Sequence, residues 1–268
     1  MRTAFYQLVL FINTTPNHDV YHEAAKIILK NIQQIPNLTI TDVANLCYVS
    51  PATISRLCRK LNFDSYFDFI ESVTSSINDF NKEYSEIYFP NQKDFLLNHT
   101  DTKEIITQHQ MSIIDTFNNL FNQLDETKID ELTTMMHKAK RIIFIGNYFA
   151  QNTAMQLEIE LSYLGKQCFG FFNQQAQKDI LNQTNVEDLI ILSSLTGHFI
   201  TSANEVMRVF KKSPAKKVVI TQGIFDKEIG KVNLHINIGN NKESLISKFA
   251  LTYIFEVIEM IYHIKYNR

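Results

Sequence analysis

All seven glycines of this 268-residue chain stand at or after Gly146; the first 145 residues contain none. Glycine supplies the left-handed turns and close backbone approaches that strands and their loops demand. A long glycine-free stretch therefore points to short helices joined by Asn, Asp, Ser and Pro. After residue 140 the pattern changes. Short β-branched runs (Arg141 to Ile145, Leu189 to Leu192, Val218 to Ile220, Leu234 to Ile238) alternate with amphipathic helical stretches. That alternation is the signature of βαβ units around a parallel sheet. The sequence predicts an all-α front over residues 1–77, a polar linker over 78–104 and an α/β domain over 105–268, the last opening with two helices between Glu104 and Lys138.

Composition removes several classes of function. An apolar fraction of 45% supports a real core, and the net charge of −2 leaves a nucleic-acid partner open, because basic groups can gather on one face of a neutral protein. The longest early apolar run, Leu8 to Ile12, falls far short of the ~20 residues of a membrane span. It also lacks the flanks of a secretory signal. Cys47, Cys58 and Cys168 are odd in number and not closely paired, which argues against disulfides and zinc and for a cytoplasmic address. The eight histidines and three cysteines do not combine into a zinc-binding motif, so neither a metal nor a cofactor is expected.

The strongest local signal runs from Leu38 to Phe69. Thr41 is an N-cap candidate for a short helix carrying Val43, Ala44 and Leu46. Cys47-Tyr48-Val49 makes a tight connection, at a place where a positive φ is often needed. Ser50 then caps a second helix with Pro51 at its first position, where the missing N–H has no helical partner to lose. In that helix Ile54, Leu57, Cys58 and Leu61 share one face, leaving Ala52, Thr53, Ser55, Arg56, Arg59 and Lys60 on the other. Asn62 stands where a left-handed residue would end it. Two short helices, a tight turn and a polar, basic outer face suit the major groove, which admits one helix whose N-terminal residues reach base edges. Arg56 can offer a bidentate fork to guanine, with Thr41, Ser50, Pro51, Ala52, Thr53 and Ser55 near bases or phosphate. Arg59 and Lys60 would neutralise backbone charge. Ahead of this motif, Val20, Ala24, Ile27, Ile28, Ile32 and Ile35 recur at helical spacing as a packing helix, and Tyr66 to Val73 supplies another.

The segments Ile-Thr-Asp-Val-Ala, Val-Ser-Pro-Ala-Thr-Ile-Ser-Arg and Lys-Leu-Asn-Phe between Leu38 and Phe69 resemble the N-terminal domain of the RpiR family of bacterial regulators. These pair such a domain with a C-terminal SIS (sugar isomerase) domain. The resemblance implies a flavodoxin-like parallel sheet in the back region, with a phosphosugar at the carboxyl ends of its strands. It carries over to Gly146 and Asn147 in the first loop, and to Ser193, Ser194, Thr196, Gly197 and His198 in the second. The first loop departs from the family pattern at Tyr148 and Ala150, and the second at Phe199. Ser194 and Thr196 offer hydroxyl donors, and His198 adds charge when protonated, with an unperturbed pKa of roughly 6.5.

Glu158 and Glu160 read as a solvated helix face. The last helix, Leu245 to Ile264, is apolar nearly all round and must be buried in the core or against a second subunit. The expected function is a DNA-binding regulator of carbohydrate metabolism, not an enzyme. Its partners would be a double-stranded operator, a phosphorylated sugar or amino sugar, and a second copy of the chain. The alternatives are a sugar-phosphate isomerase, which would need a placed base that neither loop supplies convincingly, and a ligand-independent DNA-binding dimer with a degenerate SIS domain.

Overall fold

The structure is a computed structural model that describes residues 3–15, 19–87, 101–171, 173–195, 197–223, 226–239 and 247–266. The chain divides into two compact units, Met1–Tyr88 and Phe89–Arg268.

The first unit is all helical: α1 (Thr3–Thr14), α2 (Val20–Lys30), a 3-10 turn (Ile35–Asn37), α3 (Ile40–Leu46), α4 (Pro51–Lys60) and α5 (Tyr66–Ile87). Its core joins Leu8, Ile28, Ile35, Val43, Ile54, Leu57, Leu61 and Phe69, all fully buried. Burial of one such side chain stabilises by roughly 1.5–3 kcal/mol. Buried His22 on α2 donates a ring N–H to the carbonyl of Ile12, 3.1 Å away, and so ties down the end of α1. The packing helix expected to run through Ile35 stops at Lys30. There the Asn31 side chain donates to the Ile27 carbonyl at 2.8 Å, and Pro36 keeps the residue before it from extending the helix. Ile32 and Ile35 are buried all the same, from the turn that follows. Of the stretch 78–104 that the sequence assigned to the linker, 78–87 continue α5 and 102–104 open the next helix, while 88–100 lie outside the described residues.

The second unit opens with α6 (Thr102–Gln123) and α7 (Glu126–Lys138), the two helices expected there. It continues through β1 (Arg141–Gly146), α8 (Tyr148–Tyr163), β2 (Gln167–Gly170), α9 (Gln174–Asn182), β3 (Leu189–Ser194), α10 (His198–Ser202), α11 (Asn204–Lys212), β4 (Lys216–Thr221), α12 (Asp226–Ile229), β5 (Leu234–Asn237) and α13 (Ser247–Tyr266). The five strands are parallel in the order β2-β1-β3-β4-β5. That order is flavodoxin-like, with its switch point between β1 and β3.

Alternate strand residues feed two separate cores. Ile142, Phe144, Leu189 and Ile191 face the layer of α7, α8 and α13, whereas Ile143, Ile145, Ile190 and Leu192 face the layer of α9 and α11. Burial on both faces explains why these strands read as continuous apolar runs. Strand β2 escaped the sequence because Gln167-Cys168-Phe169-Gly170 is a half-buried edge without such a run. The final helix gives Leu251, Ile254, Phe255 and Ile258 to the core and leaves Met260 and Ile264 exposed. No helix among the described residues is long and apolar enough to cross a membrane.

Candidate functional site

Helices α3 and α4 form the candidate DNA-reading unit. The cap of α3 is Thr39, two residues ahead of the expected Thr41. Thr39 Oγ1 accepts the Asp42 N–H at 3.2 Å while its own N–H donates to Asp42 Oδ2 at 2.9 Å. This reciprocal box needs an acceptor three residues after the cap; Thr39 finds Asp42 there, whereas Thr41 would find Ala44. Thr41 is instead exposed in the first turn. At α4 the expected start is observed: Ser50 Oγ accepts the Thr53 N–H at 3.2 Å, and Pro51 holds the first position.

Ile54, Leu57 and Cys58 face the core. Ser50, Pro51, Ala52, Arg56, Arg59 and Lys60 are exposed, and Thr53 and Ser55 are half-buried. Thr53 Oγ1 lies 3.0 Å from Ser50 Oγ, so its hydroxyl serves the cap as well as the outer face. The Lys60 ammonium sits 4.9 Å from the centre of the Tyr21 ring, held at the C-terminal end of the helix away from its reading end. Burial pushes the thiols of Cys47 and Cys58 up to about 11 and about 12, so both remain protonated core groups.

The second candidate site is the carboxyl edge of the sheet. Gly146 ends β1 beside Ser193 of β3, at the switch point. Asn147 accepts the Ala150 N–H at 3.4 Å and caps α8. Consecutive Ser193 and Ser194 point to opposite faces, as strand residues must, and both are buried. Gly197 adopts φ 75 and begins α10. Two helices follow this loop, because Ala203 leaves the helical region (φ −87, ψ 54) and starts α11 anew. Helix α10 has only five residues, too few to bring an appreciable dipole to the loop. Thr196 and the His198 side chain lie outside the described residues.

Two glutamines missed by the sequence reading complete this edge. Gln151, in the first turns of α8, donates to the carbonyls of Phe144 and Phe171 at 2.9 and 2.8 Å. Gln177 of α9 donates to those of Gly146 and Phe171 at 2.9 and 2.6 Å. Each amide is thus fixed by two backbone acceptors. Their Oε1 atoms, Gln222 Oε1 after β4 and the hydroxyls of Ser193 and Ser194 are buried without a hydrogen-bond partner among the described residues. A buried orphan of this kind costs about 1–3 kcal/mol, and these five share one rim. A buried glutamine close behind a strand end was the only signal available in the sequence, and nothing there distinguishes it from ordinary helix polarity.

Glu158 is not on a solvated face. Half-buried, it lies against β2, where a Cβ on Gly170 would come within 2.6 Å of its carboxylate. Burial raises its pKa and the Gly170 N–H draws it partly back.

Residues 22–79 match the helix-turn-helix domain of the rpiR family. A helix-turn-helix-type transcriptional regulator encoded in the region 3′ of aarA of Providencia stuartii is 20% identical over 198 residues, spanning 74% of this chain and 67% of that one. Another, from Haemophilus influenzae, is 21% identical over 245 residues, spanning 87% and 81%. Among solved structures, Vibrio vulnificus NanR complexed with ManNAc-6P superposes with TM-score 0.53 at 19% identity, over 97% of this chain and 92% of that one. The sugar isomerase domain of an RpiR transcription factor from Sphaerobacter thermophilus gives 0.53 at 15%, over 60% and 90%. At these identities the structures establish the fold: a helical front followed by an α/β domain built on a five-stranded parallel sheet.

Proposed function

We propose that this chain, whose residues 22–79 match the helix-turn-helix domain of the rpiR family, is a cytoplasmic transcription regulator whose DNA affinity is set by a phosphorylated sugar or amino sugar. The observation that carries the DNA-binding half is α4: a Ser50-Pro51 start, a buried inner face and an exposed outer face of Ala52, Arg56, Arg59 and Lys60. Its N-terminal turn enters the major groove. Arg56 reads a base edge, while Thr41, Ser50, Thr53 and Ser55 position the helix on the adjoining strand.

The effector half rests on the orphaned polar atoms at the carboxyl edge of the sheet. Hydroxyls of Ser193, Ser194 and Thr196, with His198, meet the phosphate. The carboxamide oxygens of Gln151, Gln177 and Gln222 can only accept, so they meet the sugar's hydroxyl or amide hydrogens. The ManNAc-6P complex of NanR, on the same fold, supports an amino-sugar phosphate as one candidate. Apart from His198, the rim groups are hydroxyls and carboxamides, which bind but do not take up protons near neutrality, and this balance favours sensing over isomerisation.

The chain works as a homodimer. Met155, Ile159 and Tyr163 make an exposed stripe along α8, and Met260 and Ile264 are exposed on α13, the helix packed beside it. Effector binding favours one arrangement of the pair and so changes the spacing of the two recognition helices. The test is binding to the promoter region beside the protein's own gene, at fixed salt, with and without a panel of phosphosugars. Sequence-specific binding that moves with one sugar supports both halves. Specific binding indifferent to every sugar supports the ligand-independent reading, and no specific binding removes the regulator.

A further inference from the structure

Helices α3 and α4 end in the same way, and the comparison isolates one residue. After α3 the Val49 N–H donates to the Ala44 carbonyl at 2.9 Å and the Tyr48 N–H to that of Asn45 at 3.1 Å. After α4 the Phe63 N–H donates to Cys58 at 2.9 Å and the Asn62 N–H to Arg59 at 3.0 Å. Both are Schellman closures, which require a left-handed residue just past the cap. Tyr48 (φ 56) and Asn62 (φ 64) supply it, and they are the non-glycine residues with positive φ among those described.

Asn is tolerated in that conformation, and the Asn62 side chain also donates to Gln7 Oε1 at 3.4 Å. Tyrosine is a poor occupant, because its Cβ meets the following carbonyl and it has no short polar group to bond locally. Packing does not offset this. Tyr48 is 92% exposed, and its side chain makes no hydrogen bond or ring contact among the described residues. A strained residue that gains nothing from its own fold is held there for something outside it.

We propose that the Tyr48 hydroxyl donates a hydrogen bond to a phosphate oxygen of the DNA backbone beside the groove that α4 enters. This rests on the DNA-binding reading above. Tyr48 lies two residues before Ser50, the cap of α4. A helix whose N-terminus points into the groove carries the turn before it over the flanking sugar-phosphate strand. A phenol suits that place: it donates to phosphate without carrying charge. Tyr48 therefore positions the helix without reading sequence.

The test compares wild type, Y48F and Y48G on the promoter duplex and on a scrambled duplex of equal length, together with thermal unfolding of each protein. Y48G relieves the backbone and should raise the melting temperature of the helical domain by about 3–8 °C. Both variants should bind DNA about 3- to 10-fold more weakly, by the same factor on both duplexes. The salt dependence should stay as in wild type, because a neutral phenol releases no counterion. Y48F that binds as wild type, or a loss confined to the promoter duplex, would overturn the assignment. So would Y48G that is more stable at undiminished affinity. Wild type that binds neither duplex would remove the DNA-binding reading, and this contact with it.

Discussion

Gly146 and Ser193 stand side by side in register at the switch point of the sheet, so close that a Cβ on Gly146 would lie 2.4 Å from the Ser193 carbonyl oxygen. The obstacle is backbone, which cannot rotate aside as a long side chain can. Gly146→Ala must therefore push β1 away from β3 or distort the start of α8, whose Ala150 Cβ is already 3.2 Å from the same position. Overpacking of this kind costs about 1–3 kcal/mol. Calorimetry of the full chain should show the α/β domain melting several degrees lower and the helical domain unchanged. An unshifted transition would mean that the two strands part easily, and that the glycine serves the crevice alone.

At the opposite, amino edge Arg141 grips Asp188 with two bonds, Nε to Oδ1 at 2.9 Å and an Nη to Oδ2 at 2.6 Å. Burial alone would raise the Asp188 pKa, but the Arg141 bonds, the Asn185 N–H and the nearby positive charges outweigh it and hold the carboxyl below its usual range. A group depressed in the folded state adds stability above its unfolded pKa, near 3.9, and loses it as pH falls through the folded value. Asp188→Asn should cost about 1.5–3 kcal/mol, steadily from pH 7 down to pH 5. The gap from wild type should close only below about pH 4, as the wild-type carboxyl itself protonates. Denaturation curves at pH 7, 5 and 3.5 would show it; a gap unchanged at pH 3.5 would mean that the lost charge is not the cause.

What the sequence made legible follows from where each signal is local. The Ser50-Pro51 start of α4 and the left-handed Asn62 are chemical statements about one turn, and both are observed as read. The positive φ at Tyr48 also falls at the turn position where the sequence places the need for one. Thr39 and Thr41 both place a hydroxyl close ahead of the first apolar residues, and only the pairing with Asp42 separates them. Helix α1 shows in the sequence only as the apolar run Leu8 to Ile12, since its burial depends on α2 and α5. Gln151 and Gln177 were invisible for a deeper reason. Their role comes from Phe171, a loop carbonyl that both amides share, and no spacing in the sequence announces that meeting.

Arg56 should divide specific from non-specific binding. Its side chain is exposed on the outer face of α4, six residues on from the N-cap Ser50, where a guanidinium can reach the O6 and N7 of guanine. Arg56→Ala should weaken operator binding by about 1–3 kcal/mol and relax the preference at one base pair. Arg59→Ala, farther along the helix, should weaken binding evenly across sequences and lower the salt slope by about one. Titrations over a set of single-base operator variants separate the two. An even loss in Arg56→Ala would place that residue on the phosphates instead.

Ser194 offers the sharpest test of the effector edge, because stability and function should move in different directions. Its hydroxyl is buried and has no partner among the described residues, so removing it relieves an unsatisfied group without opening a sizeable cavity. Ser194→Ala should leave the free protein as stable as wild type, or up to about 1 kcal/mol more so. The same change should strip the response of DNA binding to the active phosphosugar while basal DNA affinity stays put. Gln177→Leu would behave differently: it also removes the donors that hold the Gly146 and Phe171 carbonyls, and should cost stability as well as response. A Ser194→Ala protein that loses stability would show that the hydroxyl has a structural partner, such as a buried water. One that keeps its full response would move the phosphate away from β3.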